Sequence, residues 1–155
     1  MAIEKVKAYF ASFGAEDKIR EFPVSSATVE LAAAALGVEG ARIAKTMSFL
    51  VENAAVLVVT AGDKKIDNAK FKAFFGTKAK MLTPEQAESM VGHAVGGVCP
   101  FALLPGCRVY LDESLRRFEV VYPAAGSFNS AVELTIPELE RYSGCSEWID
   151  VCRDR

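Results

Sequence analysis

Arg42-Ile43-Ala44-Lys45-Thr46-Met47-Ser48-Phe49-Leu50-Val51-Glu52-Asn53-Ala54-Ala55-Val56-Leu57-Val58-Val59-Thr60-Ala61 decides the fold. Ile43, Lys45, Met47, Phe49 and Val51 alternate with Ala44, Thr46, Ser48 and Leu50, the period of two that marks a strand over 42–51. Glu52, Asn53 and Ala54 read as a turn. Ala55 to Ala61 reads as a continuous apolar strand, interrupted only by the Thr60 hydroxyl, as expected of a strand buried on both faces. The two strands together read as a hairpin. Lys45 breaks the pattern, because it falls on the row of large apolar side chains. Two explanations fit it: a position near the strand end, with the long stem reaching solvent, or a place in the wall of a pocket that receives a ligand's negative charge or carbonyl.

On the N-terminal side, Ile3, Val6, Phe10 and Phe13 form one apolar stripe of a first helix ended by Gly14. Ile19 to Pro23 reads as a short strand. Ser25 or Ser26 is placed to cap a second, alanine-rich helix with Val29, Ala33 and Leu36 on one face and Gly37 past its end. On the C-terminal side, Asp67 caps a helix with Phe71, Phe74 and Phe75 inward and Gly76 as its stop. Thr83 and Gln86 make a capping box with Pro84 in the first turn, as do Thr135 and Glu138 around Pro137. Extended segments are expected at Ala79–Leu82, Cys107–Leu111, Phe118–Tyr122, Ser130–Thr135 and Glu147–Cys152. About seven strands interleaved with five or six short helices favour an α+β fold. Residues 1–155 read as a single domain around a curved, mostly antiparallel mixed sheet or partial barrel. No Gly-x-Gly-x-x-Gly and no P-loop occurs, which disfavours a doubly wound nucleotide fold.

The loop Gly92-His93-Ala94-Val95-Gly96-Gly97-Val98-Cys99-Pro100-Phe101-Ala102-Leu103-Leu104-Pro105-Gly106 carries the chain's one histidine. It is rich in glycine and proline yet apolar, unlike a solvated loop, so it reads as one wall of a ligand site. A Ser-His-Asp or Cys-His arrangement would have to use His93. Cys99 stands six residues away, so a Cys99–His93 dyad is conceivable. The plainer readings are a helix-end histidine bonded to the last carbonyls and a small, half-buried cysteine. Main-chain chemistry fits better. Gly-Gly-x-x-Pro at Gly96, Gly97 and Pro100 can aim backbone N–H groups at a carbonyl and at the oxyanion that develops from it, with water as nucleophile.

Of the 155 residues, 51% are hydrophobic and 25% charged, the profile of an ordinary folded protein. With no signal-type N-terminus and no spanning apolar run, the expectation is a soluble cytoplasmic protein with no membrane association. Cys99, Cys107, Cys145 and Cys152 contain no Cys-x-x-Cys pair and read as free thiols, with neither metal nor cofactor expected. Net charge is −2, but it is unevenly spread. Six lysines against one acid fall between Lys64 and Lys80, and five acids against Arg141 between Glu133 and Asp150. The lysines are either a solvated helix face or a basic patch for a phosphate backbone.

Lys45-Thr46 on an early strand, Gly96-Gly97-Val98-Cys99-Pro100, and Ala125-Gly126 followed by Ala131-Val132-Glu133-Leu134 and Leu139 come in an order and spacing that resemble the YbaK/ProX superfamily. These are aminoacyl-tRNA deacylases related to the editing domain inserted in bacterial prolyl-tRNA synthetases. The resemblance covers residues 20 to 152. It implies a YbaK/ProRS-associated-domain fold and a free-standing hydrolase, without metal or cofactor, that cleaves the ester of a mischarged aminoacyl-tRNA, commonly proline tRNA. It implies that Lys45 positions the terminal phosphate or amino-acid end, that Gly96, Gly97 and Val98 contact the scissile carbonyl, and that the substrate assists the attacking water. Thr46, His93, Cys99, Pro100, Phe101, Gly126 and Asn129 are the matching substrate-binding positions. The partners implied are the acceptor end of tRNA, which Lys64 to Lys80 could meet, and prolyl-tRNA synthetase. The cysteinyl-tRNA branch tends to carry serine where Cys99 stands. The alanine-editing branch has a histidine between Pro123 and Thr135, where this chain has none. These departures leave the amino acid open. The alternative reading is a catalytically silent module that binds aminoacyl-adenosine, tRNA or a synthetase.

Overall fold

The computed structural model describes residues 2–155. In chain order its elements are α1 Ala2–Ala11, β1 Ile19–Glu21, α2 Val29–Leu36, β2 Ile43–Val51, β3 Ala54–Ala61, β4 Lys64–Ile66 and α3 Asn68–Phe75. Next come α4 Pro84–Gln86, continued by a π-helical turn over Ala87–Val91, then β5 Arg108–Asp112, β6 Val120–Pro123, β7 Ser130–Val132 and β8 Leu134–Thr135. The chain closes with α5 Ile136–Ser143, β9 Glu147–Ile149 and β10 Cys152–Asp154.

The hairpin is the centre of the molecule. β2 and β3 pair antiparallel from Ala44↔Ala61 to Val51↔Ala54. Glu52 and Asn53 close them with φ of 50° and 65°, the two positive values of a type I′ turn whose twist matches the strands. Around this pair a curled six-stranded sheet runs β8-β6-β2-β3-β5-β9. β6 lies parallel to β2, β5 parallel to β3 and β9 parallel to β5, while β8 is antiparallel to β6. Two small antiparallel pairs, β1–β7 and β4–β10, complete a mixed α+β architecture. Antiparallel pairing is the more extensive overall because the hairpin is so long, although parallel neighbours hold three of the junctions in the large sheet. No helix among the described residues is long and apolar enough to cross a membrane.

Each face of the hairpin has its own core. Ala55, Leu57, Val59 and Ala61 point to one side, where Val6 and Phe10 of α1, Leu139 and Tyr142 of α5, and Phe101 cover them. Val56 and Val58 point to the other with Phe49 and Val51, under Phe71 of α3. This is why β3 carries no polar residue before Thr60: neither face meets water.

The caps form as expected. The Asp67 carboxylate accepts from the N–H groups of Ala69 and Lys70, and both capping boxes are present. Four details differ from the sequence reading. Thr28, rather than Ser25 or Ser26, caps α2, its hydroxyl accepting from Leu31 N–H at 3.1 Å; Ser26 is drawn away because its N–H donates to Phe128 O. Ala79–Leu82 makes a single bridge, Met81 to Phe49, instead of a strand. Glu147–Cys152 is not one strand but two. Val151 N–H donates to the buried Asp112 carboxylate, which turns the chain out of the large sheet and onto β4. Phe74 is half-exposed at the end of the ring cluster, beside Phe75 and Tyr110, rather than inward.

Glu52 occupies a left-handed backbone conformation that disfavours most side chains and that asparagine tolerates. Glu52→Asn is expected to stabilise the fold by about 1 kcal/mol, read as a raised urea midpoint at unchanged m. An unchanged or lowered midpoint would refute a strained turn.

Candidate active site

Four consecutive residues of β2, Lys45, Thr46, Met47 and Ser48, line one cavity of about 370 Å³. Side chains of a strand alternate between faces, so four in a row can border one space only where it runs along the strand's edge. The ladders explain this. β6 pairs with β2 only at Ile43 and Ala44. The Lys80–Leu82 segment pairs only farther on, through Leu82 N–H to Ser48 O at 3.1 Å and Leu50 N–H to Lys80 O at 2.8 Å. Between them the β2 edge is open to the cavity.

The glycine loop forms the facing wall through Gly96 and Val98. Lys45 therefore shares a cavity with two of the three loop residues named from the sequence. It is exposed, and among the described residues it makes no ion pair. It sits near the strand's start, within reach of solvent, and it also borders the cavity. Thr46 lies on the other face, with its Oγ1 buried and without a hydrogen-bond partner.

Gly97 has a different place. Its N–H donates to Ala94 O at 3.0 Å, so it is not a free donor for a carbonyl. A Cβ there would come within 2.8 Å of the Ser127 backbone, so glycine serves the docking of this loop against Gly126–Ser127. Gly126 is itself pressed against Val6 and the backbone of Ala2. Asn129 ties the same corner together, its amide donating to Phe22 O at 3.0 Å and its Oδ1 accepting from the Ser127 hydroxyl. These residues shape the cavity from behind.

His93, Cys99, Pro100 and Phe101 turn away from the cavity. His93 is fully buried, and its Nε2 donates to Phe101 O at 2.8 Å, which leaves Nδ1 without a partner. Cys99 Sγ is 3.5 Å from the same Nε2, but that nitrogen already carries the proton given to the carbonyl. Burial pushes the thiol up to about 12. The pair therefore has neither an accessible thiolate nor a free imidazole lone pair facing it, and the dyad does not form. Pro100 borders a separate hollow beside Tyr9 and Cys107.

Several cavity residues were not among the site positions expected from the sequence. Ala27, Thr28 and Val29 border it at the start of α2. Tyr122, Ala124, Ser130 and Ala131 come from the β6–β7 region, and Met81 and Leu82 from the bridge to β2. Arg155 also reaches it, held by a hydrogen bond to Gly62 O at 3.0 Å. A larger hollow of about 680 Å³ lies among Arg116, Phe118, Ile136 and Trp148. It is a more open apolar groove that contains none of the site residues expected from the sequence, and the β2 cavity is the better candidate on chemistry.

The uneven charge is partly neutralised by folding. Lys64 pairs with Asp154, and Lys70 with Asp150 at 3.0 Å. Lys65, Lys72, Lys78 and Lys80 remain exposed and outside the ion pairs among the described residues. Lys80 adjoins Met81 at the cavity rim.

Burial, with a smaller repulsion from Lys5, holds His93 below its ordinary 6.5. The unfolded chain protonates first as pH falls, so stability is unaffected above about 6.5 and drains away below it. The slope should reach at most about 1.4 kcal/mol per pH unit. Urea unfolding between pH 8 and 5 tests this, and His93→Gln should flatten that part of the profile. An identical slope in the variant would assign the acid lability elsewhere.

Residues 24–142 match the model of the aminoacyl-tRNA editing domain. The chain is 50% identical over 155 residues to the uncharacterized protein YwhH of Bacillus subtilis (strain 168), covering 99% of each. It is 32% identical over 100 residues to the proline–tRNA ligase of Nitratidesulfovibrio vulgaris (strain Hildenborough), spanning 63% of this chain but only 17% of the ligase. A solved structure of a candidate trans-editing enzyme for prolyl-tRNA synthetase superposes with a TM-score of 0.88 at 29% identity, over 98% of this chain and 97% of that one. Sequence match and shared half-barrel agree: the chain belongs to the aminoacyl-tRNA editing domain family.

Proposed function

We propose that this protein is a trans-editing hydrolase that removes a small, wrongly attached amino acid from the 3′ end of a tRNA, with proline tRNA as its substrate and the cytoplasm as its place of action. The observation that carries the reading is the convergence of an unpaired Lys45, the Gly96–Val98 wall and an open strand edge on one cavity. The near-complete mutual coverage with the trans-editing structure supports action apart from a synthetase polypeptide.

In this reading Lys45 holds the phosphate of the terminal nucleotide, since a flexible ammonium outside the ion pairs among the described residues suits a phosphate. The main-chain N–H groups of Gly96 and Val98 face the ester carbonyl and stabilise the oxyanion. Gly97 contributes by packing, not by donation. Water oxygen bonds to the acyl carbon and the acyl–O3′ bond breaks. O3′ leaves with a proton, and the free amino acid loses its carboxyl proton to solvent. His93 is sealed in the core and Cys99 with it, so neither serves as base. The neighbouring ribose hydroxyl is the group placed to relay the proton. The cavity's volume of about 370 Å³ bounds the side chain that could be seated beside Ala124 and Ala131, so selection would be by size.

Alanyl- and cysteinyl-charged proline tRNA, incubated with the protein, should lose their esters. Stable esters throughout a panel of small-residue charges would point instead to a silent binding module. Lys45→Ala is expected to lower kcat/KM about 10- to 150-fold, the rate equivalent of losing one hydrogen bond to a charged group, with the thermal midpoint held. Wild-type kinetics in that variant would remove Lys45 from the site.

The acceptor stem would leave the cavity past Met81 along Lys80 and Lys78. Lys78→Ala/Lys80→Ala should reduce the slope of log(kcat/KM) against log salt by about one to two. An unaltered slope would place the stem on another face.

A further inference from the structure

The cavity's least expected feature is the unpaired edge of β2. Backbone groups of an antiparallel strand point alternately to its two sides. Ser48 O and Leu50 N–H both point away from β3, since both bond the Lys80–Leu82 segment. Even-numbered residues of β2 therefore point outward, and the odd ones bond β3. This agrees with Val51 and Ala54 being the pair next to the two-residue turn. Thr46, between the end of the β6 ladder at Ala44 and the start of the next at Ser48, thus directs both its N–H and its C=O into the cavity. A main-chain donor and acceptor beside a buried, unpartnered Thr46 hydroxyl call for a partner of their own.

We propose that the Thr46 main chain is the binding site for the α-amino acyl group, which pairs with the edge of β2 as if it were one residue of a neighbouring antiparallel strand. This rests on the editing reading above. An α-amino ester carries a donor, its ammonium, and an acceptor, its carbonyl, on either side of one α-carbon, as a strand residue does. In an antiparallel hydrogen-bonded pair, two residues exchange both N–H···O bonds. Here the ammonium donates to Thr46 O and the ester carbonyl accepts from Thr46 N–H.

Two consequences follow from the strand's geometry. The acyl group, running antiparallel to β2, sends its ester oxygen and ribose back towards Lys45. Its side chain lies on the same face as that of Thr46. That face is the one where Val98, Ala124 and Leu82 pack with Ala44. Lys45 is on the opposite face, free of the amino-acid side chain and on the ribose side. An L-amino acid and a free amine are both required by this pairing, and discrimination by size is a matter for the Thr46 face alone.

The test uses hydrolysis-resistant probes: adenosine bearing 3′-L-alanylamino, 3′-D-alanylamino or 3′-propionylamino in place of the ester, each titrated calorimetrically into the full chain. The L-alanyl probe should bind at least about tenfold tighter than the propionyl probe, which lacks the amine, and tighter than the D-alanyl probe. Thr46→Val removes the hydroxyl. Thr46→Pro removes the hydroxyl and the outward N–H while leaving the β3 ladder intact, since proline is tolerated at an edge position whose N–H faces away from the sheet. Thr46→Pro should bind the L-alanyl probe at least about tenfold more weakly than Thr46→Val does. Equal binding of the alanyl and propionyl probes overturns the proposal, as does absence of binding by any probe. So do equal affinities of the two variants. The wild-type comparison needs no variant to fold. Loss of ester from charged tRNA is scored separately, so a protein that binds as stated but does not hydrolyse refutes the editing reading and leaves the pairing standing.

Discussion

The β2–β3 ladder is the constraint on which everything else rests. From Ala44↔Ala61 to Val51↔Ala54 it is unbroken, and the I′ turn locks its register. A slip of one residue would exchange the two faces of β2 relative to those of β3. It would carry Lys45 into the side filled by Ala44, Leu57 and Val59 and expose Phe49 and Val51 to the wrong partners. Because both faces of β3 are buried, the cost of such a slip is paid twice, and the register is correspondingly secure. The same register places Lys45 and Thr46 on opposite faces of one edge.

That edge stays open because its neighbours are short. β6 follows β2 only for Ile43 and Ala44 and ends at Pro123. The Lys80–Leu82 segment arrives from the other end and supplies two hydrogen bonds before α4 begins at Pro84. A free strand edge in the surface of a protein invites another chain. Here it lies inside a cavity walled by the glycine loop and the start of α2.

Much of this was legible from local signals. The period of two in β2, the apolar run of β3, the aspartate cap of α3 and both capping boxes act within a few residues, and so they could be read directly. Contacts between distant segments could not. β4 and β10 are three residues each and exist because they find one another. Thr28 and the two serines before it are all competent caps, and Phe128 decides among them by engaging Ser26. The resemblance brought Lys45 and the loop together. It could not tell that Gly97 is glycine for the sake of Ser127, or that His93 and Cys99 point inward. Ala27, Tyr122 and Arg155 carry no motif and border the cavity through tertiary position alone.

The burial of His93 bears on chemistry as well as on stability. An editing site acts on an activated ester already prone to hydrolysis, so it can dispense with a strong protein base provided that it holds the ester still and stabilises the oxyanion. An accessible imidazole–thiol pair beside the ester would let acyl transfer to sulfur compete with water. Nε2 committed to Phe101 O and a thiol pushed up to about 12 remove that competitor. On the editing reading proposed above, what would remain around the ester is main chain, a lysine held clear of the acyl carbon by the strand's alternation, and water. Discrimination would then fall to shape and to the main-chain pairing proposed for the edge of β2.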